Sequence, residues 1–242
     1  MSFQIPSKIK SVKVRQDDQI RIVTVDRLDV GALEALPAHE RSKAYLAENW
    51  VIKTPARIPA RDEYRRNAAA RVRKAPVAEP MAVIEDLASG HEWIAEAKIE
   101  GTTLAKEFLA TIKKQDAAGF EQRYQSFRSP FDDLATLFFV KLGLIADLRL
   151  CNVYDTQAGL MATDAWLEDC SDRRFKHFSD YHPERTFNHL LLALPESETG
   201  KAYTAQQDWL LAQIAAVDPS AEDQAQRYCR KLRALRATYG LI

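Results

Sequence analysis

A mainly α fold is what this 242-residue chain predicts, with a small N-terminal α/β unit (β-hairpin plus helix) followed by a multi-helix C-terminal domain. Three observations carry the expectation. Glycine occupies only 8 positions, against roughly 7% of an average protein, which disfavours a turn-rich β sandwich. Period-2 alternation of apolar residues is confined to the first 25 positions, and after Pro80 the spacing turns to the 3.6-residue period of a helix. The apolar fraction, 46%, is ample for a core.

Residues 1–52 read as the α/β unit. Val12 and Val14 alternate on one arm of a hairpin and Ile20, Ile22 and Thr24 on the other, joined by Gln16-Asp17-Asp18-Gln19. A two-stranded ribbon is marginal alone. It is therefore expected to lie on helices over 31–36 and 38–50, the second with Tyr45, Leu46 and Trp50 on one face. Residues 53–80 carry Pro55, Pro59, Pro76 and Pro80 and read as a basic arm or linker, with a short polar helix over 61–74.

Residues 81–242 read as the helical domain. Met81, Ile84 and Leu87 form one stripe, ended by Ser89-Gly90, and Leu104, Phe108 and Ile112 form another, ended near Gly119. Ser129-Pro130 has the form of a helix start, opening a helix over 131–148 that is apolar almost all round and so central to the domain. Thr163 is expected to cap a helix with Trp166, Leu167 and Cys170, and Pro183 to open one with Phe187, Leu190, Leu191 and Leu194. Helices over 202–217 and 219–239 complete the chain, Asp218 capping the last and Gly240 lying beyond it.

The chain holds 34 basic and 34 acidic residues, yet residues 53–78 concentrate eight Lys and Arg against two acids. Arg57, Arg61, Arg65, Arg66, Arg71, Arg73 and Lys74 are the candidate nucleic-acid contacts, since such a patch neutralises phosphates and releases counterions. Tyr64 is the single aromatic among them, which argues against base stacking. The last helix adds Arg230 and Arg233 as further candidate nucleic-acid contacts, and its apolar seam of Tyr228, Leu232, Leu235 and Tyr239 offers a surface for a protein partner or a second copy of the chain.

These features predict a non-enzymatic binding or assembly protein that contacts nucleic acid, or an acidic protein surface, through the arm. The alternative is a helical protein–protein interaction module with the arm as a tether. A remote third is a metal-dependent enzyme around His177, His182 and His189, whose spacing matches no standard ligand pattern. No catalytic residue, metal or cofactor is assigned. Neither a G-x-S-x-G elbow nor a phosphate-cradling glycine loop occurs.

Glu96-Ala97-Lys98-Ile99-Glu100-Gly101-Thr102 is similar to the K-x-D/E-G core of covalent nucleotidyltransferases such as ATP-dependent ligases and capping enzymes, which would make Lys98 a nucleophile. The match spans three positions, the residues after Thr102 read as helix, and no acidic and di-lysine motifs follow. Lys98 is accordingly read as a surface lysine.

The first ten residues lack the apolar centre of an export signal, and the run over 134–146 is interrupted by Lys141, short of the roughly 18 residues that span a bilayer. Cys151, Cys170 and Cys229 are odd in number and widely spaced, as thiols of a reducing compartment are. A cytoplasmic location without membrane contact is expected.

Overall fold

The computed structural model describes residues 3–36, 43–55, 58–146, 148–163, 165–167 and 200–238. The chain divides into two compact units, one of Met1–Glu100 with Asp164–Leu167 and the other of Gly101–Thr163 with Glu168–Ile242.

The first unit is dominated by a sheet. Its strands are β1 (Ser11–Asp17), β2 (Ile20–Val25), β3 (Glu34–Leu36), β4 (Ala44–Ala47), β5 (Trp50–Lys53), β6 (Pro80–Asp86) and β7 (His91–Ala97), and one helix, α1 (Ala60–Val72), separates β5 from β6. The seven strands form a single mixed sheet in the order β1-β2-β6-β7-β5-β4-β3. The expectation of a mainly α protein with a small α/β unit is therefore overturned. The sheet draws two of its central strands from beyond residue 79, where helices were expected.

The physical reasons are local. β1 and β2 do pair as a hairpin, with Asp17 opposite Ile20. Asp18 and Gln19 turn the corner with φ of 44° and 68°, the left-handed pair that a two-residue hairpin loop requires. β6 pairs with both β2 and β7, and Met81, Ala82, Val83 and Ile84 are all buried. A strand covered on both faces loses its alternation and reads as a continuous apolar run, so Met81, Ile84 and Leu87 only mimic a helical stripe. Leu87 is exposed in the turn that follows, and Gly90 closes that turn with a φ of 68°. The described part of the expected helix over 38–50, residues 43–50, is not helical either: Ala47 pairs with Trp50 across a β4–β5 turn in which Glu48 has a φ of 54°.

Strand parity sorts the side chains onto two faces. One carries Val23, Val25, Trp50, Ile52, Ile84 and Trp93, covered by Ile9, Leu28 and Leu33. The other carries Ile20, Ile22, Val83 and Ile94, covered by Ala60 and Tyr64 of α1. Ala60, Tyr64, Asn67 and Ala70 form the buried stripe of that helix, at the i, i+4, i+7 spacing of one face.

The second unit is helical with a small sheet. β8 (Thr102–Thr103), β10 (Val153–Thr156) and β11 (Gly159–Ala162) make that sheet, with β10 in the middle. Among the described residues its α-helices are α2 (Leu104–Lys114), α3 (Ala117–Thr136), α4 (Gly200–Val217) and α5 (Pro219–Thr238). Thr103 caps α2 by accepting from the Lys106 amide, and Asp116 caps α3 by accepting from the Gly119 amide at 2.9 Å.

Ser129-Pro130 lies inside α3 instead of opening a helix. Proline there forfeits one backbone hydrogen bond. The ring contacts of Phe127 with Phe108 at 5.1 Å and with Phe131 at 5.7 Å supply the packing that carries the helix through. The expected helix over 131–148 breaks up accordingly. Residues Leu137–Leu142 adopt a π-helical turn, Gly143 stops it with a φ of 63°, and Leu144–Ala146 form β9. Ala165–Leu167 is likewise a strand, β12, and not the start of a helix capped by Thr163.

The two C-terminal helices form close to where the spacing places them. The segment opened by Pro183, together with Cys170, Tyr239 and Gly240, lies outside the described residues. Among the described residues, no helix is long and apolar enough to cross a membrane.

Candidate functional site

Lys53 ends β5, and its parity with Val51 turns it to the face that α1 covers, opposite Trp50 and Ile52. There its Nζ meets Glu63 Oε1 at 2.9 Å and Glu96 Oε2 at 3.1 Å. Glu63 stands in the first turn of α1. Glu96 stands on β7, opposite Val51 in register. Asn67, one turn beyond Glu63, donates from Nδ2 to Glu96 Oε1 at 2.6 Å. The cluster is enclosed, with side-chain exposures of 16% for Lys53, 16% for Glu63 and 4% for Glu96. An ammonium fixed in this way is a positioned point charge for an anion.

The basic segment is α1, not an arm. Arg57 lies outside the described residues. Arg61 is spent on the sheet: its guanidinium pairs with Asp17, Glu85 and Glu92 at 3.0, 2.7 and 2.7 Å. Arg15 also binds Glu85, and this bond comes first among the causes that hold the Glu85 carboxyl below the usual range. Arg65 pairs with Asp62 and Asp18. Arg71 donates to the Val77 carbonyl at 3.4 Å. Arg66, Arg73 and Lys74 are exposed, Lys74 in the left-handed conformation just past the helix end. On α5, Arg230 is exposed, while Arg233 binds Gln207 and Asp208 of α4.

The nucleic-acid reading requires an unpacked arm and is overturned, and the interaction-module alternative loses both the tether and the mainly helical fold it assumed. A helix seated on a sheet, with an arginine of its first turn, Arg61, paired to three carboxylates, is neither. DNA-binding and purely α-helical descriptions fall with them. His177, His182 and His189 lie outside the described residues. Among those described, no cluster of His, Cys, Asp and Glu is arranged to hold a metal ion. Lys98 is half-exposed, pairs with Glu100 and precedes α2 closely.

The residues that the spacing arguments passed over carry a pattern of their own. Trp50-Val51-Ile52-Lys53 is an apolar strand ending in a lysine, followed ten positions on by Glu63 in a helix. Reading 38–50 as a helix hid it, and counting Lys53 as one of eight charges in a basic run hid it again. Further along, Asp147-Leu148-Arg149-Leu150-Cys151-Asn152 sets an amide five positions after a carboxylate, and Asp164 follows twelve positions after Asn152. Asn152 is pinned in a turn, its amide donating to the Arg149 carbonyl at 2.7 Å and its carbonyl accepting from the Thr163 amide at 2.9 Å. Asp147 and Asp164 lie outside the described residues.

No protein-family model and no curated protein matches the chain. Among solved structures, the aminoglycoside phosphotransferase APH(4)-Ia is similar over 82% of this chain and 92% of its own, at 15% identity and a TM-score of 0.32. The apo GRMZM2G135359 pseudokinase is similar over 88% of each chain, at 12% identity and a TM-score of 0.32.

Proposed function

We propose that this chain binds a nucleoside triphosphate through Lys53 and transfers its terminal phosphoryl group. The observation that carries the reading is the 2.9 Å pair between Lys53 at the end of a strand and Glu63 in the helix that follows. In protein kinases a strand lysine in a V-A-I-K string pairs the nucleotide phosphates and is held by a helix glutamate. Trp50-Val51-Ile52-Lys53 has that form.

The chain order supports the same reading. In the kinase signature H-R-D-L-x-x-x-N the aspartate is the base and the asparagine a metal ligand, with the D-F-G aspartate following. Asp147-Leu148 with Asn152 reproduces the D-L-x-x-x-N part residue for residue, and Asp164 follows as a later aspartate in the sequence. From chain order alone, the motif makes Asp147 the candidate base, and Asn152 and Asp164 the candidate donors to a magnesium ion that would neutralise phosphate charge.

The chain departs from the signature in three places. Ile145-Ala146 replaces the H-R pair, Ala165-Trp166 replaces F-G, and no G-x-G-x-x-G string occurs. The phosphates therefore lose their backbone cradle, and Lys53 becomes the principal anchor. The reading also places the protein in the cytoplasm, where nucleoside triphosphate is available, in keeping with thiols at Cys151 and Cys229.

The test is transfer or hydrolysis of γ-labelled ATP by the full chain, by Lys53→Met and by Asp147→Asn. The expected outcome is turnover by the parent chain and a fall of about 100-fold or more in each variant, the scale of a lost base or phosphate anchor. Equal turnover in Lys53→Met and the parent would contradict the proposal.

A further inference from the structure

On the face that α1 covers, four strands build a polar patch at one end of the large sheet. Strand parity turns Arg15 and Asp17 of β1, Thr24 of β2, Glu85 of β6 and Glu92 of β7 to the side that carries Ile22, Val83 and Ile94. Into this patch α1 sends Arg61, whose guanidinium meets Asp17, Glu85 and Glu92 at 3.0, 2.7 and 2.7 Å. Glu85 is shared with the hairpin: Arg15 pairs with its Oε1, and Thr24 donates to its Oε2 at 3.0 Å. Arg61 stands in the first turn of α1, two residues before Glu63, and Glu63 meets Lys53 at 2.9 Å. Apolar seating of the helix by Ala60, Tyr64 and Ala70 is non-directional. A guanidinium fork bound to three strands has direction, and it fixes the rotation of the turn that carries it.

We infer that the β1–β2 hairpin positions Lys53. It holds Glu85 and, with Asp17, clamps Arg61, so that the first turn of α1 presents Glu63 to the ammonium. Arg61 is thus a positioning residue, acting through Glu63 and Lys53 and not on phosphate itself. That this placement serves phosphate binding rests on the nucleotide reading above; the clamp on Lys53 is a property of the sheet and helix.

The experiment reads Lys53 directly. The full chain, Arg61→Met, the double variant Asp17→Asn/Thr24→Val, Arg66→Met and Leu33→Ala are pulsed with acetic anhydride at a temperature where circular dichroism shows each folded. Mass spectrometry follows modification of Lys53. Arg66→Met removes the same charge from an exposed position on α1, and Leu33→Ala weakens the same unit from the opposite face of the sheet. Lys53 is expected to react about tenfold faster in Arg61→Met, the scale of a lost charge-assisted hydrogen bond. It is expected to react several-fold faster in the double variant and at the parent rate in both controls. The double variant keeps Arg61 and carries the test even if Arg61→Met does not fold. Titration of a fluorescent ATP analogue with magnesium is then expected to show binding weakened in the same order as Lys53 is freed.

Modification at the parent rate in either Arg61→Met or the double variant overturns the clamp and leaves the nucleotide reading untouched. Equal acceleration in Leu33→Ala marks a general loss of stability and overturns the clamp as well. Faster modification in both, with no nucleotide bound by the parent chain, upholds the clamp and sinks the nucleotide reading.

Discussion

Lys53 sits where strand parity and helix phase intersect, and the consequence is a buried ion cluster that no count of charges reveals. Removing its ammonium leaves Glu63 and Glu96 facing each other with side-chain exposures of 16% and 4%. Lys53→Met is expected to lower stability by about 2–3 kcal/mol, toward the lower part of the range for breaking a buried pair because the cluster is partly open, as read from urea denaturation midpoints. Glu85 gives a pH prediction. Its carboxyl is held below the ordinary 4.5, first by the hydrogen bond from Arg15 and then by Thr24, against the opposing effect of burial. Stability from this group is therefore whole above about pH 4.5 and is lost as pH falls through the depressed value. Glu85→Gln is expected to flatten that acid limb of the stability curve. At this scale the sequence made the charges of residues 53–78 visible but not their partners, because Arg61 finds Asp17, Glu85 and Glu92 on three different strands.

Elements were legible where their signal was local. The first hairpin shows in the alternation of Ile20, Ile22 and Thr24, and the α2 stripe in Leu104, Phe108 and Ile112. Replacing Asp18-Gln19 through Asp18→Asn and Gln19→Gly is expected to stabilise the first unit by about 0.5–1 kcal/mol, since both positions have positive φ; thermal melts measure it. What stayed hidden were the elements whose signal depends on neighbours: β6, buried on both faces, and α3, which overrides Pro130 through its aromatic packing. Tyr124 and Arg128 of α3 both reach Asp218 at the start of α5. Tyr124 donates to Asp218 at 2.8 Å, and its phenol is pushed up to about 12 by burial first and then by that bond. A raised folded value means that this stability is whole below the ordinary 10 and is lost as pH rises through about 12. Tyr124→Phe is expected to cost about 1 kcal/mol at neutral pH and to remove the alkaline limb, which urea midpoints from pH 8 to about 12 record.

On the scale of the whole molecule, the sheet is assembled from distant segments: Ile22 pairs with Val83, and Lys53 with Ile94. Loop closure over such spans is a property of the fold and not of any sequence window, which is why seven strands were mistaken for a hairpin with helices. The same assembly brings Lys53, Glu63, Asn67 and Glu96 together from β5, α1 and β7. No local pattern announces that meeting, although a lysine closing an apolar strand with a glutamate ten residues on was visible all along. The central claim is that this lysine receives a nucleotide. It is tested most directly by isothermal titration of ATP with magnesium into the full chain and into Lys53→Met, at a temperature where circular dichroism shows both folded. The account predicts saturable one-to-one binding to the parent chain that weakens at least tenfold in the variant. Binding of equal strength to both, or none to the parent, contradicts it.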